Sequence, residues 1–74
     1  MKISNVLTTL KENYINAKGT PYEDNQKLYI EMGWAIRRLN ESGALSLDDD
    51  FDDEQVKAAI FNEMNFDKIN KQMN

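Results

Sequence analysis

The sequence predicts an all-α fold, a small bundle of three helices that forms a single domain over residues 1–74. Apolar residues recur at spacings of three and four, which is the period of a helix with one buried face. Residues that start and stop helices flank these stretches, and a chain of 74 residues has room for one small core. The expected helices cover about residues 4–18, 21–40 and 52–64, with a possible short fourth helix at 66–73.

The first predicted helix carries a single apolar stripe. Ser4 is its candidate N-cap, because a serine hydroxyl can accept hydrogen bonds from the exposed N–H groups of a first turn. Gly19 is the candidate residue just beyond its end, where a left-handed backbone conformation closes many helices. The stripe consists of Ile3, Val6, Leu7, Leu10, Tyr14 and Ala17.

The second predicted helix has the clearest start signal. Thr20, Pro21 and Glu23 form a capping-box pattern with proline at the first helical position. Because Gly19 and Thr20 leave almost no loop, we expect a helical hairpin or corner at this point. Residues 40–43 supply the stop signal. The predicted core face consists of Leu28, Tyr29, Met32, Ala35, Ile36 and Leu39.

The third predicted helix follows a loop whose apolar residues, Leu45, Leu47 and Phe51, should attach it to the core. Asp52, with Gln55 three residues later, predicts a second capping box. Val56, Ala59, Ile60 and Met64 form the stripe of this helix, whereas Phe66, Ile69 and Met73 lie on a rotated face. The helix therefore either breaks near residues 62–65 or extends to contact a second surface.

Composition excludes most catalytic chemistry. The chain contains no cysteine and no histidine, so disulfides, thiolate chemistry, imidazole catalysis and the usual zinc sites are absent. Asp48, Asp50 and Asp52 match the first ligand positions of a calcium loop, but Asp53 and Ala59 replace the glycine and the glutamate that such a loop needs. We therefore expect no enzyme activity, no metal site and no cofactor.

Charge is distributed unevenly along the chain. The net charge is −4, but residues 1–40 sum to +2 and residues 41–74 sum to −6. Such a run of acids caps and solubilises a helix start, or it attracts a cationic partner. Six acids exceed what capping needs, which favours a contact surface. The residues that we call the acidic segment are Asp48, Asp49, Asp50, Asp52, Asp53 and Glu54, within positions 48–54.

A second candidate contact surface lies on the second helix. On a helical wheel, Ile30 and Trp34 fall outside the core face, and Arg37 and Arg38 flank them. Tryptophan beside arginine is typical of interface hot spots. Three interpretations remain open: a partner site, a core position covered by the last segment of the chain, or a homodimer in which the arginines face the acidic segment of a second copy.

These features predict a small acidic module for protein–protein interaction. We expect it to bind and inhibit or modulate a protein with a basic surface, such as a DNA- or RNA-handling enzyme, because carboxylates can imitate the charge of nucleic acid. The alternative is a structural or regulatory homo-oligomer in which Ile30, Trp34 and the C-terminal apolar residues form the interface. The acidic balance disfavours direct binding of nucleic acid or of anionic membranes.

Location and origin are also suggested by the sequence. No apolar stretch resembles a signal peptide or a membrane span, and the lack of cysteine fits a reducing compartment, so we expect a cytoplasmic protein. The small size, the many Lys and Asn residues and the concentrated acidity resemble those of short proteins encoded by phages and mobile elements of AT-rich bacteria. Some of those proteins inhibit DNA-handling enzymes of the host, which is consistent with the predicted function.

Overall fold

Three α-helices make up most of the computed structural model, which describes the backbone of residues 1–73 and the side chains of residues 1–66. They are α1 (Ile3–Ala17), α2 (Gln26–Glu41) and α3 (Glu54–Met73), and a short 3-10 helix, Glu23–Asn25, precedes α2. The predicted all-α class is thereby confirmed. α2 is the central helix and packs against both α1 and α3.

The start of α1 is closed by a distant loop. The backbone N–H of Ile3 donates to the carbonyl of Asp49 at 2.9 Å, and that of Ser4 donates to the carbonyl of Leu47 at 3.0 Å. Lys2 occupies the N-cap position and makes no capping bond with its side chain. The predicted cap at Ser4 is therefore wrong, because α1 already begins at Ile3 and the N–H of Val6, which a cap at Ser4 would serve, donates to the carbonyl of Lys2 at 3.1 Å.

The turn between α1 and α2 is longer than the sequence predicts. Gly19 has a φ of 78°, as expected for the residue that ends α1. The Thr20 hydroxyl donates to the carbonyl of Ala17 at 2.7 Å and accepts from the N–H of Tyr22 at 3.1 Å. Because that hydroxyl belongs to the turn, it does not cap α2. The predicted start at residue 21 is wrong, and α2 begins at Gln26, whose side chain donates to the carbonyl of Tyr14.

The end of α2 follows its stop signal closely. Gly43 has a φ of 82°, and its N–H donates to the carbonyl of Asn40 at 3.2 Å. The N–H of Ala44 donates to the carbonyl of Leu39 at 2.9 Å. This pair of bonds is the Schellman motif, which satisfies the last carbonyls of a helix when a glycine adopts the left-handed conformation. The predicted stop at residues 40–43 is confirmed.

The core receives side chains from all three helices and from the loop before α3. Leu45 of that loop is buried, whereas Leu47, which was predicted to attach to the core, is 38% exposed. Leu28 of α2, predicted to be buried, is also exposed, because it lies near the beginning of the helix. The buried cluster consists of Ile3, Val6, Ile36, Leu45 and Ile60, and the half-buried residues packed against it are Leu7, Leu10, Met32, Leu39, Phe51, Val56 and Met64.

α3 begins two residues later than predicted and continues without a break. The carboxylate of Asp53 accepts from the N–H groups of Gln55 and Val56 at 2.8 and 3.4 Å, so Asp53 takes the capping role predicted for Asp52. The predicted fourth helix at 66–73 is the last part of α3. Phe66 is exposed. The side chains of Ile69 and Met73 lie outside the described residues.

Candidate protein-interaction surfaces

The acidic segment lies in the loop between α2 and α3 and is paired with the start of the chain. Lys2 and Asp50 form an isolated antiparallel bridge, and the N–H of Phe51 donates to the carbonyl of Met1 at 2.8 Å. Together with the two bonds that close α1, this pairing places the backbone of residues 47–51 beside residues 1–4. The shape of the acidic segment is therefore set by tertiary hydrogen bonds.

Two of the carboxylates hold the backbone of their own loop. Asp49 accepts from the N–H of Ser46 at 2.8 Å, and the N–H of Asp49 donates to the carbonyl of Ser46 at 3.0 Å. Asp53 caps α3 through its bonds to Gln55 and Val56. Such short bonds from Asp to nearby N–H groups are the reason that this residue type is common in turns and at helix starts. Part of the acidity therefore has a structural role.

Two further carboxylates form ion pairs with the N-terminal ammonium group. The nitrogen of Met1 lies 3.1 Å from Oδ1 of Asp50 and 3.0 Å from Oδ2 of Asp52. Hydrogen bonds to Asp52 and then Asp50 raise the pKa of the amino group above its usual value. The pKa of Asp50 is lowered, first by a hydrogen bond from the N–H of Asp52 and second by the ammonium group. All three groups are exposed, so these pairs are screened by solvent.

The remaining two acids point away from such contacts. Within the described part of the chain, the carboxylates of Asp48 and Glu54 make no hydrogen bond or ion pair, and both residues are exposed. No group of three or more acidic side chains among the described residues has an arrangement that could hold a metal ion. The acidic segment is thus a solvent-facing surface in which Asp49, Asp50 and Asp53 accept from backbone N–H groups and Asp52 pairs with the ammonium group of Met1. The carboxylates of Asp48 and Glu54 make no polar contact with a described residue.

The second candidate surface is a groove between α1 and α2. Ile30 is half-buried there, and Trp34 is 50% exposed at its edge. Helix α1 therefore forms one side of the groove. The helical wheel of α2 alone could not predict this contribution. The groove, called the α1–α2 groove below, is lined by Leu7, Leu10, Lys11, Tyr14, Tyr29, Ile30, Gly33, Trp34 and Arg37.

The two adjacent arginines of α2 have side chains in different places. Arg37 is exposed and lines the α1–α2 groove. Arg38 turns toward α3, where its Nε donates to Glu63 at 3.0 Å in a half-buried ion pair. Consecutive residues of a helix point about 100° apart, so neighbours in sequence face different elements. Arg38 therefore contributes to the packing of α2 on α3, while Arg37 remains a candidate for partner contacts.

Six groove residues were not among the predicted site residues: Leu7, Leu10, Lys11, Tyr14, Tyr29 and Gly33. The first four come from α1, so only the hairpin places them beside Trp34. The sequence alone marks Gly33 as unusual, because a glycine in the middle of a helix lowers helix stability by up to about 1 kcal/mol relative to alanine. A Cβ atom built on Gly33 meets no atom within 4 Å, so packing does not require a glycine at this position.

The fold and these surfaces define the class of the protein, a small three-helix domain with an acidic loop and a basic, partly apolar groove. No family model, no curated protein and no solved structure gives a significant match to the chain. No helix within the described residues has the length and apolar character required to cross a membrane. The physical chemistry of the two surfaces therefore carries the functional argument.

Proposed function

We propose that this chain is a protein–protein interaction module that uses the acidic segment to bind a protein with a basic surface and thereby modulates it. The observation that carries the proposal is the order of the segment. Six carboxylates occupy six of the seven positions 48–54, five on the loop and Glu54 in the first turn of α3, and the loop backbone is bonded to α1, to α3 and to itself. A partner therefore meets a preformed acidic surface and does not lose affinity by ordering a flexible tail.

The carboxylates that fix the loop remain able to bind a cation. A carboxylate has two oxygens and about four lone-pair sites, and a bond to one N–H group uses only one of them. The side chains of Asp50 and Asp52 stay 64% and 69% exposed although both contact the ammonium group of Met1. Structural and partner contacts are thus compatible on the same side chains. The segment keeps most of its charge toward solvent.

A nucleic-acid-handling protein is the proposed kind of partner. Such proteins carry lysine and arginine surfaces that match the closely spaced charges of phosphates, and a dense row of carboxylates is complementary to the same surface. Binding to the acidic segment would then compete with nucleic acid. Electrostatic contacts of this type increase the association rate and weaken as salt concentration rises.

The structure also determines which residues a test can change. Replacing Asp49, Asp50 or Asp53 alters loop or helix contacts, so loss of binding by such a variant would be ambiguous. We therefore choose a triple variant with Asp48→Asn, Asp52→Asn and Glu54→Gln, in which the affected contact is the exposed ion pair between Asp52 and the ammonium group of Met1. Its matched control removes the same number of charges elsewhere, with the exposed acids Glu12, Glu23 and Asp24 changed to Gln, Gln and Asn.

The experiment compares capture from a lysate of the source organism by immobilised wild type and the two triple variants. We expect a protein that is retained by wild type and by the control, is lost with the acidic-segment variant, and is released by duplex DNA or by high salt. Circular dichroism should give the same helicity for all three proteins. Equal retention by both triple variants, or retention unaffected by DNA and salt, would contradict the proposal.

A further inference from the structure

Gly33 lines the α1–α2 groove and leaves open space there that a side chain could occupy. This glycine lies inside α2 without a left-handed backbone conformation, and the space where its Cβ would lie is empty. Alanine would fit there and would favour the helix by up to about 1 kcal/mol. The glycine thus lowers helix stability while it keeps the groove floor free, a combination that fits a binding surface.

The size of the groove limits its occupant. Its volume is about 160 Å³. Sites for cofactors and drug-sized ligands usually span about 300–1,000 Å³, so this groove is too small for a whole cofactor. It has room for a single apolar side chain that packs beside Ile30 and the ring of Tyr14.

The charge of the groove selects the chemistry of that occupant. Lys11 and Arg37 lie at the rim, both are exposed, and neither forms an ion pair with any described residue. A matching ligand therefore presents one exposed apolar side chain with carboxylates next to it in sequence. Within this chain, the loop before α3 has that composition, because Leu47 is partly exposed and the acidic segment begins at the next residue.

We propose that the α1–α2 groove is a self-association site that binds Leu47 and the acidic segment of a second copy of this chain. Lys11 and Arg37 pair with the carboxylates, foremost those of Asp48 and Glu54, which make no hydrogen bond or ion pair with any described residue of their own copy. The leucine side chain enters the space above Gly33. This proposal gives a role to the α1–α2 groove, which the proposed function does not use, and it therefore goes beyond the proposed function.

The proposed assembly is a closed dimer with two-fold symmetry. The loop attaches at Ile3, and Lys11 follows eight residues later on the same helix, an axial distance of about 12 Å at 1.5 Å per residue. In this arrangement each copy places its loop against the groove of the other. Self-association would cover the acidic segment and compete with a foreign basic partner.

The test uses pairs of charge reversals and measures mass by sedimentation equilibrium over a series of protein and salt concentrations. The groove variant carries Lys11→Glu and Arg37→Glu, and the loop variant carries Asp48→Lys and Glu54→Lys. We expect the wild type to exceed its monomer mass of 8.6 kDa as concentration rises, and to return to it in high salt. Each variant alone should be monomeric. Their mixture should associate again, because each supplies the surface that the other repels.

A matched control decides whether the loop is the occupant. The change Glu23→Lys with Asp24→Lys gives the same net charge as the loop variant and lies beside another exposed apolar residue, Tyr22. By itself this control should self-associate like wild type, because its groove and its acidic segment are unchanged, whereas the loop variant should be monomeric. A monomeric control, a wild type that stays monomeric throughout, or a groove variant that associates like wild type would each overturn the proposal.

A further variant distinguishes loss of self-association from loss of the folded state. Gly33→Leu fills the groove while it favours the helix, so its melting temperature should equal or exceed that of wild type, yet its dissociation constant for self-association should rise at least about tenfold. Unchanged self-association by a folded Gly33→Leu protein would also overturn the proposal. Because the groove variant keeps the whole acidic segment, its capture of a foreign basic partner should persist, which separates this proposal from the proposed function.

Discussion

Helices α1 and α3 begin in opposite ways. The first turn of α3 is closed by the carboxylate of Asp53, the residue immediately before the helix. The first turn of α1 is closed by carbonyls of Leu47 and Asp49, more than forty residues away. A local cap operates wherever the helix forms, whereas a distant cap exists only when the whole fold is present. The acidic loop serves both helices, since it supplies the cap of α3 and the closing carbonyls of α1.

The largest expected effect comes from detaching the loop that closes α1. Leu45→Ala removes a buried side chain of the core cluster and should lower the free energy of unfolding by about 2–5 kcal/mol, measured by urea denaturation. The amides of Ile3 and Ser4 should exchange faster with solvent as the loop loosens. Leu47→Ala is the matched control. It keeps the carbonyl that closes α1 and should cost about 1 kcal/mol or less, because its side chain is partly exposed.

A smaller effect distinguishes the two kinds of cap directly. Asp53→Ala should destabilise the protein by about 1 kcal/mol in thermal or urea denaturation, since two N–H groups of α3 lose their acceptor. Ser4→Ala, at the residue that the sequence proposed as the cap of α1, should change stability by less than about 0.5 kcal/mol. An equal loss from both substitutions would contradict the assignment of a backbone cap to α1.

The ion pairs between the N-terminal ammonium group and the acidic segment should be lost when one residue is added before Met1. A glycine placed before Met1 replaces the ammonium group at Asp50 and Asp52 by a neutral amide. The pKa of Asp50 should then rise toward its usual value, but only in part, because the N–H of Asp52 still donates to the same carboxylate. Titration followed by NMR of the carboxyl carbons measures this change, by comparison of the extended protein with the original one.

The same ion pairs predict a small dependence on pH, with opposite signs at the two ends of the range. The pKa of Asp50 is lowered by folding, so its contribution is present above the usual value of 3.8 and is lost as pH falls through the folded value. The pKa of the amino group is raised, so its contribution is present below the usual value of 8.0 and is lost as pH rises through the folded value. The Phe51 amide should therefore be best protected between about pH 4 and pH 8. Equal protection of this amide from exchange at pH 6 and pH 10 would contradict a stabilising role for these ion pairs.

Several features of the fold were predictable because they depend on short stretches of sequence. The ends of α1 and α2 follow from Gly19 and Gly43, since only a residue without a Cβ adopts a positive φ at no cost. The stripe of α1 follows from helical spacing, and Ile3 and Val6 are indeed buried. The acidic start of α3 was also evident, although the capping residue is Asp53 and the prediction named its neighbour.

The predicted cap of α1 and the predicted start of α2 were wrong for one shared reason. A hydroxyl that can cap a helix can also serve a turn, and Thr20 does the latter because the chain must reverse before α2 packs on α1. Ser4 has no capping role because the loop occupies that end of the helix. In both cases a local signal competes with a tertiary contact that the local sequence does not encode. Competition of this kind makes helix boundaries hard to predict.

The candidate surfaces show the same division between local and tertiary information. The acidic segment is contiguous in sequence, so its existence was evident, but its anchoring to Met1 and Lys2 was not. The grouping of Ile30 and Trp34 was predicted from the wheel of α2. Their neighbours Lys11 and Tyr14 belong to another helix, so no pattern within α2 could reveal them.

The sequence by itself determined the all-α class, the helix-ending glycines, the concentration of negative charge before α3 and the absence of thiol and imidazole chemistry. These properties depend on residue type and on spacings within a few turns of helix. Only the tertiary structure decided how α1 is closed, where Arg37 and Arg38 diverge, and which residues line the groove. Those outcomes require contacts between segments far apart in the chain, and such contacts form when burial of the shared core brings the helices together.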